Sequence, residues 1–156
     1  AKDFLAELNW NVDGWDRQET EVGGPFPQLL DYKLLVNCVL AVEKCPPFIN
    51  KETIQAADQF CLNTISDVSC DPDSEYNMIP LYKEATKLEQ PYIQVEGGIK
   101  LTAIDNLPSF LPKESSYDFS SQLSSFLMDY QTDNGPIKRS LGFFNEAIKQ
   151  LGNINS

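Results

Sequence analysis

Histidine is absent from the 156-residue sequence. The chain therefore supplies no imidazole, which excludes Ser-His and Cys-His catalytic pairs and histidine-ligated metal sites made from its own residues, and we expect no metal site. Four cysteines are present (Cys38, Cys45, Cys61 and Cys70), but no two of them have CxxC spacing. This favours reduced, buried thiols in a cytoplasmic protein over a disulfide pair or a thiolate nucleophile.

Basic charge is also scarce, since 12 Lys and Arg residues face 23 Asp and Glu residues and leave a formal net charge of -11. No Lys/Arg cluster interrupts this acidic balance, so we expect neither a nucleic acid nor an anionic membrane surface as a partner. The sequence lacks an apolar stretch near the roughly 18 residues that a membrane span requires. Residues 1–4 also lack the basic region and apolar run of a secretory signal.

The composition that remains is that of a globular protein. Hydrophobic residues make up 42% of the chain and charged residues 22%, which excludes a disordered or low-complexity chain. A length of 156 residues predicts about one domain with one ordinary core.

Local patterns predict that strands and helices alternate over the first part of the chain. Residues 3–9 have the apolar face of a helix end, and residues 11–16 are typical of a short strand that ends in an acid. The nearly continuous apolar run at 34–40 predicts a strand covered on both faces. A predicted helix at 51–59 and a predicted strand at 62–69 follow.

The later residues predict a hairpin and two helices. Segments 92–95 and 99–104 flank Gly97-Gly98, which is typical of a hairpin or a broken strand. Two amphipathic helices follow, the second beginning at Pro136, a favourable first helical position. Their apolar stripes are expected to be core. The stripes comprise Phe119, Leu123, Phe126, Leu127 and Tyr130 in the first helix, and Ile137, Leu141, Phe144, Ile148 and Leu151 in the second.

Strands separated by helices, with apolar runs of the buried kind, favour an open parallel α/β sheet. Ligands of such sheets bind outside the carboxyl ends of the strands. The conspicuous polar residues all follow predicted strands at this end: Asp16, Asn37, Asp67 and Asp105. The sequence therefore predicts a binding site at the carboxyl edge of the sheet.

Several short blocks carry a recognisable family pattern. They are residues 15–20 (WDRQET) with 23–26 (GGPF), 36–38 (VNC) with 47–48 (PF), 67–72 (DVSCDP), 77–82 (NMIPLY) and 104–115 (IDNLPSFLPKES). Together, in this order and over almost the whole chain, they resemble the saccharopine dehydrogenases of the NAD-dependent, L-lysine-forming type.

The resemblance implies that much of an NAD site lies on this chain. Asp16 matches the acid of a dinucleotide-binding unit that accepts hydrogen bonds from the ribose diol and repels the extra phosphate of NADP. Thr20 matches a position near the adenosine, and Leu40 and Val68 match positions that pack against the cofactor. The stretch that lines the nicotinamide half of the cleft matches Ile104, Asp105, Asn106 and Leu107.

The resemblance also implies a Rossmann-like, doubly wound parallel sheet that is incomplete. The family's Gly-rich phosphate loop and first strand have no counterpart here, and the lysine and histidine of its acid-base chemistry cannot be placed. We therefore expect no catalytic residue on this chain. Residues 1–115 are expected to be the C-terminal part of a dinucleotide-binding domain, and residues 116–156 to be helices that pack on it or on an N-terminal domain.

Loss of the first strand would affect the sheet, because that strand is central in a doubly wound fold. The segment ending at Asp16 would lose its main neighbour, and the strand around Val36 would become an exposed apolar edge. We expect an N-terminal half or a second chain to supply the strand, and the chain alone not to fold as a monomer in the family manner.

The expected reaction is oxidative deamination of saccharopine to lysine and 2-oxoglutarate, with hydride passing to NAD. Three alternatives remain. One is the lysine-2-oxoglutarate reductase module of lysine-degrading enzymes, which shares the IDNLP pattern at 104–108, although the blocks at 15–26 favour the first reading. The second is a non-enzymatic relative that acts as a binding subunit. The third is a cysteine-based redox module around Cys38.

Overall fold

The structure is a computed structural model that describes residues 2–41, 43–128 and 135–154. The chain divides into two compact units, Ala1–Asn106 and Leu107–Ser156. The first unit contains a four-stranded sheet, and the second contains two long helices.

The sheet consists of β1 (Leu34–Asn37), β2 (Thr64–Asp67), β3 (Ile93–Gln94) and β4 (Lys100–Thr102), in the order β1-β2-β4-β3. β1 pairs with β2 and β2 pairs with β4 in parallel, whereas β3 runs antiparallel to β4. This mostly parallel, open sheet confirms the predicted incomplete α/β, Rossmann-like fold.

The region before the sheet differs from the prediction. Helix α1 (Lys2–Glu7) is present, but residues 11–16 form no strand, and the predicted strand there is wrong. Asp16 is instead the N-cap of the short helix α2 (Arg17–Thr20). An Asp side chain that bonds nearby backbone groups competes with strand pairing, and here the local cap is the structure that forms.

β1 is an edge strand in the described sheet, because its one partner there is β2. Its residues Leu34, Leu35 and Val36 are half-buried as a result. The predicted exposed edge at Val36 is therefore confirmed, and the expectation that this strand is covered on both faces is wrong.

The core of the first unit lies around the middle of the sheet. Ile65 of β2 and Leu101 of β4 are register partners, and both are fully buried. Helix α3 (Lys51–Gln55) adds Ile54 to this core. The helix begins at Asn50, whose Oδ1 accepts hydrogen bonds from the backbone N–H of Thr53 at 2.8 Å and from its hydroxyl at 2.6 Å. Such a cap satisfies donors that the first helical turn leaves free.

The predicted hairpin is confirmed between β3 and β4, which are joined by the tight turn Glu96–Gly98. Gly97 has φ +68°, a conformation that favours glycine. A Cβ at this position would lie 2.7 Å from the ring of Phe60 and 3.0 Å from Ile54, so the packing of the core also requires a glycine.

The second unit contains α4 (Pro112–Met128) and α5 (Pro136–Ile154), which confirms both predicted helices and the start at Pro136. Their stripes are largely exposed on this chain by itself, with Phe119 at 66% and Phe144 at 60%, so they form no core among the described residues. The expectation that these helices pack on the dinucleotide-binding domain or on an N-terminal domain stays a prediction. Leu123 and Ile137 are half-buried, and Tyr130 lies outside the described residues. An amphipathic stripe indicates that one face of a helix favours burial, but the face is buried only where another part of the structure packs against it. Among the described helices, none has the length and apolar character to cross a bilayer.

Candidate functional site

A cleft of about 290 Å³ opens at the carboxyl ends of β1 and β2. Because the two strands are parallel, the loops that leave them lie at the same edge of the sheet. The lining comes from three segments: residues 37–41 after β1, residues 67–69 with Asp71 after β2, and residues 76–78 of the following loop.

Two polar residues of this lining, Asn37 and Asp67, are buried against each other. They are opposite one another at the last positions of β1 and β2, and they expose only 4% and 2% of their surface. Asn37 donates through Nδ2 to Oδ1 of Asp67 at 2.9 Å, while its own Oδ1 accepts the N–H of Val39 at 3.2 Å. Each half of the amide is thus satisfied, as buried polar groups require.

Asp67 also binds its own loop and a more distant residue. Its Oδ1 accepts the backbone N–H groups of Ser69 at 3.2 Å and Cys70 at 3.4 Å, and its Oδ2 accepts the hydroxyl of Tyr82 at 2.7 Å. Within the described ranges, Asp67 forms no salt bridge. Hydrogen bonds alone therefore compensate the burial of this carboxylate.

Tyr82 is held in its protonated form. Burial raises the pKa of Tyr82 well above its ordinary value of 10.0, and the hydrogen bond to Asp67 and the negative charge of that carboxylate raise it further. The phenol is consequently a permanent donor to Asp67 at physiological pH.

Further hydrogen bonds join the loops that form the cleft. The hydroxyl of Ser69 donates to the carbonyl oxygen of Val39 at 2.7 Å, and the N–H of Val68 donates to the carbonyl oxygen of Asn37 at 2.8 Å. The thiol of Cys70 donates to the carbonyl oxygen of Ala103, just after β4, at 3.2 Å. The loop after β2 is therefore tied to the loop after β1 and to the exit of β4.

The four cysteines are free thiols, as predicted. Cys38, Cys45 and Cys61 are exposed, so the expectation that they are buried is wrong for these three. They lie in loops beside the short strands and not within them. Burial raises the pKa of the Cys70 thiol, and the charges of Asp105, Asp67 and Asp71 act in the same direction. A protonated thiol is the opposite of the activated thiolate that redox or nucleophilic chemistry needs.

Two of the residues predicted to contact NAD, Leu40 and Val68, line this cleft. They come from adjacent loops, and their side chains are 87% and 41% exposed. Apolar side chains that line a concave site are available to pack against an apolar ligand surface.

The structure places Asp16 and Thr20 elsewhere, on α2, and neither lines the cleft. Asp16 accepts the N–H of Gln18 at 2.8 Å, while its own N–H donates to the side chain of Glu19 at 2.7 Å. The hydroxyl of Thr20 donates to the carbonyl oxygen of Asp16 at 2.8 Å. These contacts form a capping box, which fixes the orientation of the Asp16 carboxylate.

The remaining predicted residues follow β4 and do not line the cleft. Ile104 forms a parallel bridge with Thr86, and Asp105 and Asn106 occupy an exposed turn in which Asn106 has φ +56°. In the second unit, Leu107 begins the short 3-10 turn Leu107–Phe110.

The sequence patterns assigned no role to the third wall of the cleft, which consists of Tyr76, Asn77 and Met78. Oδ1 of Asn77 accepts the N–H of Ile79 at 2.7 Å, and Nδ2 of Asn77 is buried with no hydrogen-bond partner in the described part of the chain. An unsatisfied buried donor needs an acceptor. The buried amide is therefore one polar group in a lining that also contains the exposed apolar side chains of Leu40 and Val68.

The chain matches curated proteins, although no protein-family model matches it. The L-lysine-forming saccharopine dehydrogenase of Neurospora crassa is 36% identical over 150 residues, which covers 90% of this chain and 40% of the relative. The enzyme of the same name from Candida albicans is 37% identical over 147 residues, which covers 90% of this chain and 38% of that relative. That of Candida glabrata is 39% identical over 130 residues, with 79% and 35% covered.

Over this matched region, the chain belongs to the saccharopine dehydrogenase family. The resemblance predicted from the sequence blocks is confirmed. The chain spans about 40% of the length of the saccharopine dehydrogenases it matches. The names of these relatives give NAD(+) as their cofactor and L-lysine as their product.

Proposed function

We propose that this chain forms much of the NAD site of a saccharopine dehydrogenase, which oxidatively deaminates saccharopine to L-lysine and 2-oxoglutarate. The observation that carries the proposal is the cleft at the carboxyl ends of β1 and β2, which Leu40 and Val68 both line. Doubly wound sheets bind dinucleotides at this edge. Sequence identity of 34–39% to relatives named for NAD(+) supports NAD as the cofactor.

Within the cleft, Leu40 and Val68 would contact an apolar face of the cofactor. The chemistry that NAD supplies when bound is acceptance of a hydride. The chain's own contribution is to bind and orient the cofactor and to exclude water from its apolar faces.

Asp16 and Thr20 contribute the adenosine end of the proposed site. The capping box holds the charged Asp16 side chain in one orientation. We expect this charge to accept hydrogen bonds from the ribose hydroxyls and to repel the additional phosphate of NADP.

The nicotinamide half of the site is assigned to the segment after β4. Asp105 and Asn106 are exposed there and free to meet a ligand. Ile104 and Leu107 flank them in sequence and are expected to supply apolar contacts.

Acid-base catalysis and most substrate contacts are proposed to come from residues outside this sequence, in an N-terminal half or a second chain. The support is that this sequence contains no histidine, matches about 40% of its relatives, and leaves β1 as an edge in the described sheet. On this proposal the chain alone is inactive. A cytoplasmic location is part of the same proposal.

The test is NADH formation from saccharopine and NAD by the natural protein that contains this sequence. We expect turnover with NAD and much less with NADP. Bound NAD without turnover would favour the non-enzymatic binding subunit, and a preference for NADPH with lysine and 2-oxoglutarate would favour the reductase module. Failure to bind NAD at all would refute the proposal.

A matched pair of variants tests the cleft itself. Leu40→Ser removes an apolar contact in the lining and is expected to raise the KM for NAD about tenfold. Leu88→Ser changes another exposed leucine, which lies outside the lining, and is expected to leave the KM unchanged. Equal effects of the two substitutions would remove the cleft from the cofactor site.

A further inference from the structure

Asp67 lies in the wall of the cleft but exposes only 2% of its surface, so its neighbours, and not its carboxylate, face a ligand. Three segments converge on it: β1 through Asn37, its own loop through two backbone N–H groups, and the following loop through Tyr82. We propose that Asp67 is a positioning residue, which holds the loops after β1 and β2 at the separation that the cofactor requires.

Short hydrogen-bonded paths connect Asp67 to both apolar walls. On one side Asn37 binds the N–H of Val39, the residue before Leu40. On the other side Asp67 binds the N–H of Ser69, the residue after Val68, and the Ser69 hydroxyl bonds back to Val39. Removal of the carboxylate would release donors in both loops at once, and the loops that carry Leu40 and Val68 would lose part of the contacts that join them.

A carboxylate buried without a salt bridge in the described ranges adds little net stability, because desolvation offsets its hydrogen bonds. The effect of the Asp67 carboxylate is therefore on geometry, because its four hydrogen-bond donors hold the surrounding segments in one arrangement. The inference rests on the proposed function, since it names how that same site is held in its binding geometry.

A purely structural role and a positioning role predict different kinetics. If Asp67 positions the loops, its loss raises the KM for NAD in protein that remains folded, and kcat changes little. An asparagine at position 67 should rescue binding. Its carbonyl oxygen can accept from Asn37, Ser69 and Cys70, and its NH₂ can donate to the hydroxyl of Tyr82, which is able to accept.

The experiment compares Asp67→Ala, Asp67→Asn and Asp73→Asn in the natural full-length protein. Asp73 is an exposed acid of the same loop outside the cleft lining, so its substitution controls for the change in net charge. We expect Asp67→Ala to raise the KM for NAD about tenfold, with kcat within about twofold of wild type. Asp67→Asn should stay within about threefold in KM, and Asp73→Asn should have no effect.

Folded Asp67→Ala protein with the wild-type KM would overturn the inference. So would equal KM values in the Ala and Asn variants, since geometry would then not be the cause. If Asp67→Ala does not fold, the test uses Tyr82→Phe, which removes one of the four donors to Asp67. A raised KM for NAD in folded Tyr82→Phe protein supports the inference, and a wild-type KM overturns it. Wild-type protein that binds no NAD refutes the proposed function itself, which is a separate outcome.

Discussion

Asn37 and Asp67 occupy the final positions of two neighbouring parallel strands, and the Asn37 amide donates to the Asp67 carboxylate at 2.9 Å. Without this contact, the buried Nδ2 group of Asn37 would have no hydrogen-bond acceptor in the described part of the chain. Because the two are in register, they satisfy one another at the same edge where the cleft opens. The pair therefore links the stability of the sheet to the shape of the candidate site.

Asn37→Asp is expected to destabilise the protein by about 3 kcal/mol at neutral pH, because it buries two carboxylates side by side. The loss should shrink as the pH falls, since a shared proton allows one carboxyl to donate to the other. Urea unfolding at neutral and acidic pH measures this. The second substitution Asp67→Asn in the same protein removes one of the two charges and should recover only part of the loss, because an NH₂ turned toward residue 37 also faces the N–H groups of Ser69 and Cys70. A double variant no more stable than Asn37→Asp contradicts the pairing.

Tyr82→Phe should lower the free energy of unfolding by about 1–3 kcal/mol at neutral pH, since one oxygen of Asp67 loses its donor. The folded state raises the pKa of Tyr82 above its unfolded value near 10, so the stability from this phenol is complete below pH 10 and is lost as the pH rises further. The free energies of unfolding of wild type and Tyr82→Phe, measured by urea titration, should therefore become more similar as the pH rises above 10.

Tyr32→Phe is the control for that experiment. Tyr32 also donates to a carboxylate, Asp13, at 2.7 Å, but this hydrogen bond is exposed to solvent. Its removal should change stability much less, because water replaces the lost donor. A loss as large as that of Tyr82→Phe would show that burial is not the cause.

Gly24→Ala is expected to destabilise the first unit by about 2 kcal/mol or more. The added Cβ would overlap the carbonyl oxygen of Pro47 and lie 2.8 Å from its carbonyl carbon, and backbone atoms cannot move aside cheaply. Gly142→Ala is the contrasting change, because a Cβ at position 142 would have no atom within 4 Å. Since alanine favours a helix over glycine, this substitution should stabilise α5 by up to about 1 kcal/mol. Thermal unfolding followed by circular dichroism should separate the two, and a stable Gly24→Ala protein would contradict the packing seen here.

Asp16→Asn should separate the two functions considered for this residue. Asparagine is as good an N-cap as aspartate, so α2 and the overall stability should be preserved. The negative charge is lost, and the ratio of KM for NADP to KM for NAD should fall by about tenfold if the carboxylate repels the extra phosphate. An unchanged ratio in stable Asp16→Asn protein would leave Asp16 with its capping role alone.

Local sequence patterns predicted the elements that depend on nearby residues. The hairpin around Gly97, the start of α5 at Pro136 and the strands β1 and β2 follow from turn chemistry and short apolar runs. The strand predicted at residues 11–16 is wrong because the same local pattern, an extended segment that ends in an acid, also occurs just before a helix with an aspartate N-cap. Capping requires only the nearby residues Gln18 and Glu19, whereas a strand requires a neighbour that the described sheet does not provide.

The sequence by itself determined the α/β class, the family and the polar residues that end β1 and β2, because hydrophobic periodicity and the order of short motifs can be read directly from the order of residues. Only the tertiary structure decided that Asn37 meets Asp67 across 30 residues and that Tyr82 meets it across 15. It also shows that, on this chain by itself, the stripes of α4 and α5 are exposed. These outcomes depend on strand register and on which surfaces find a neighbour, and no local pattern contains either.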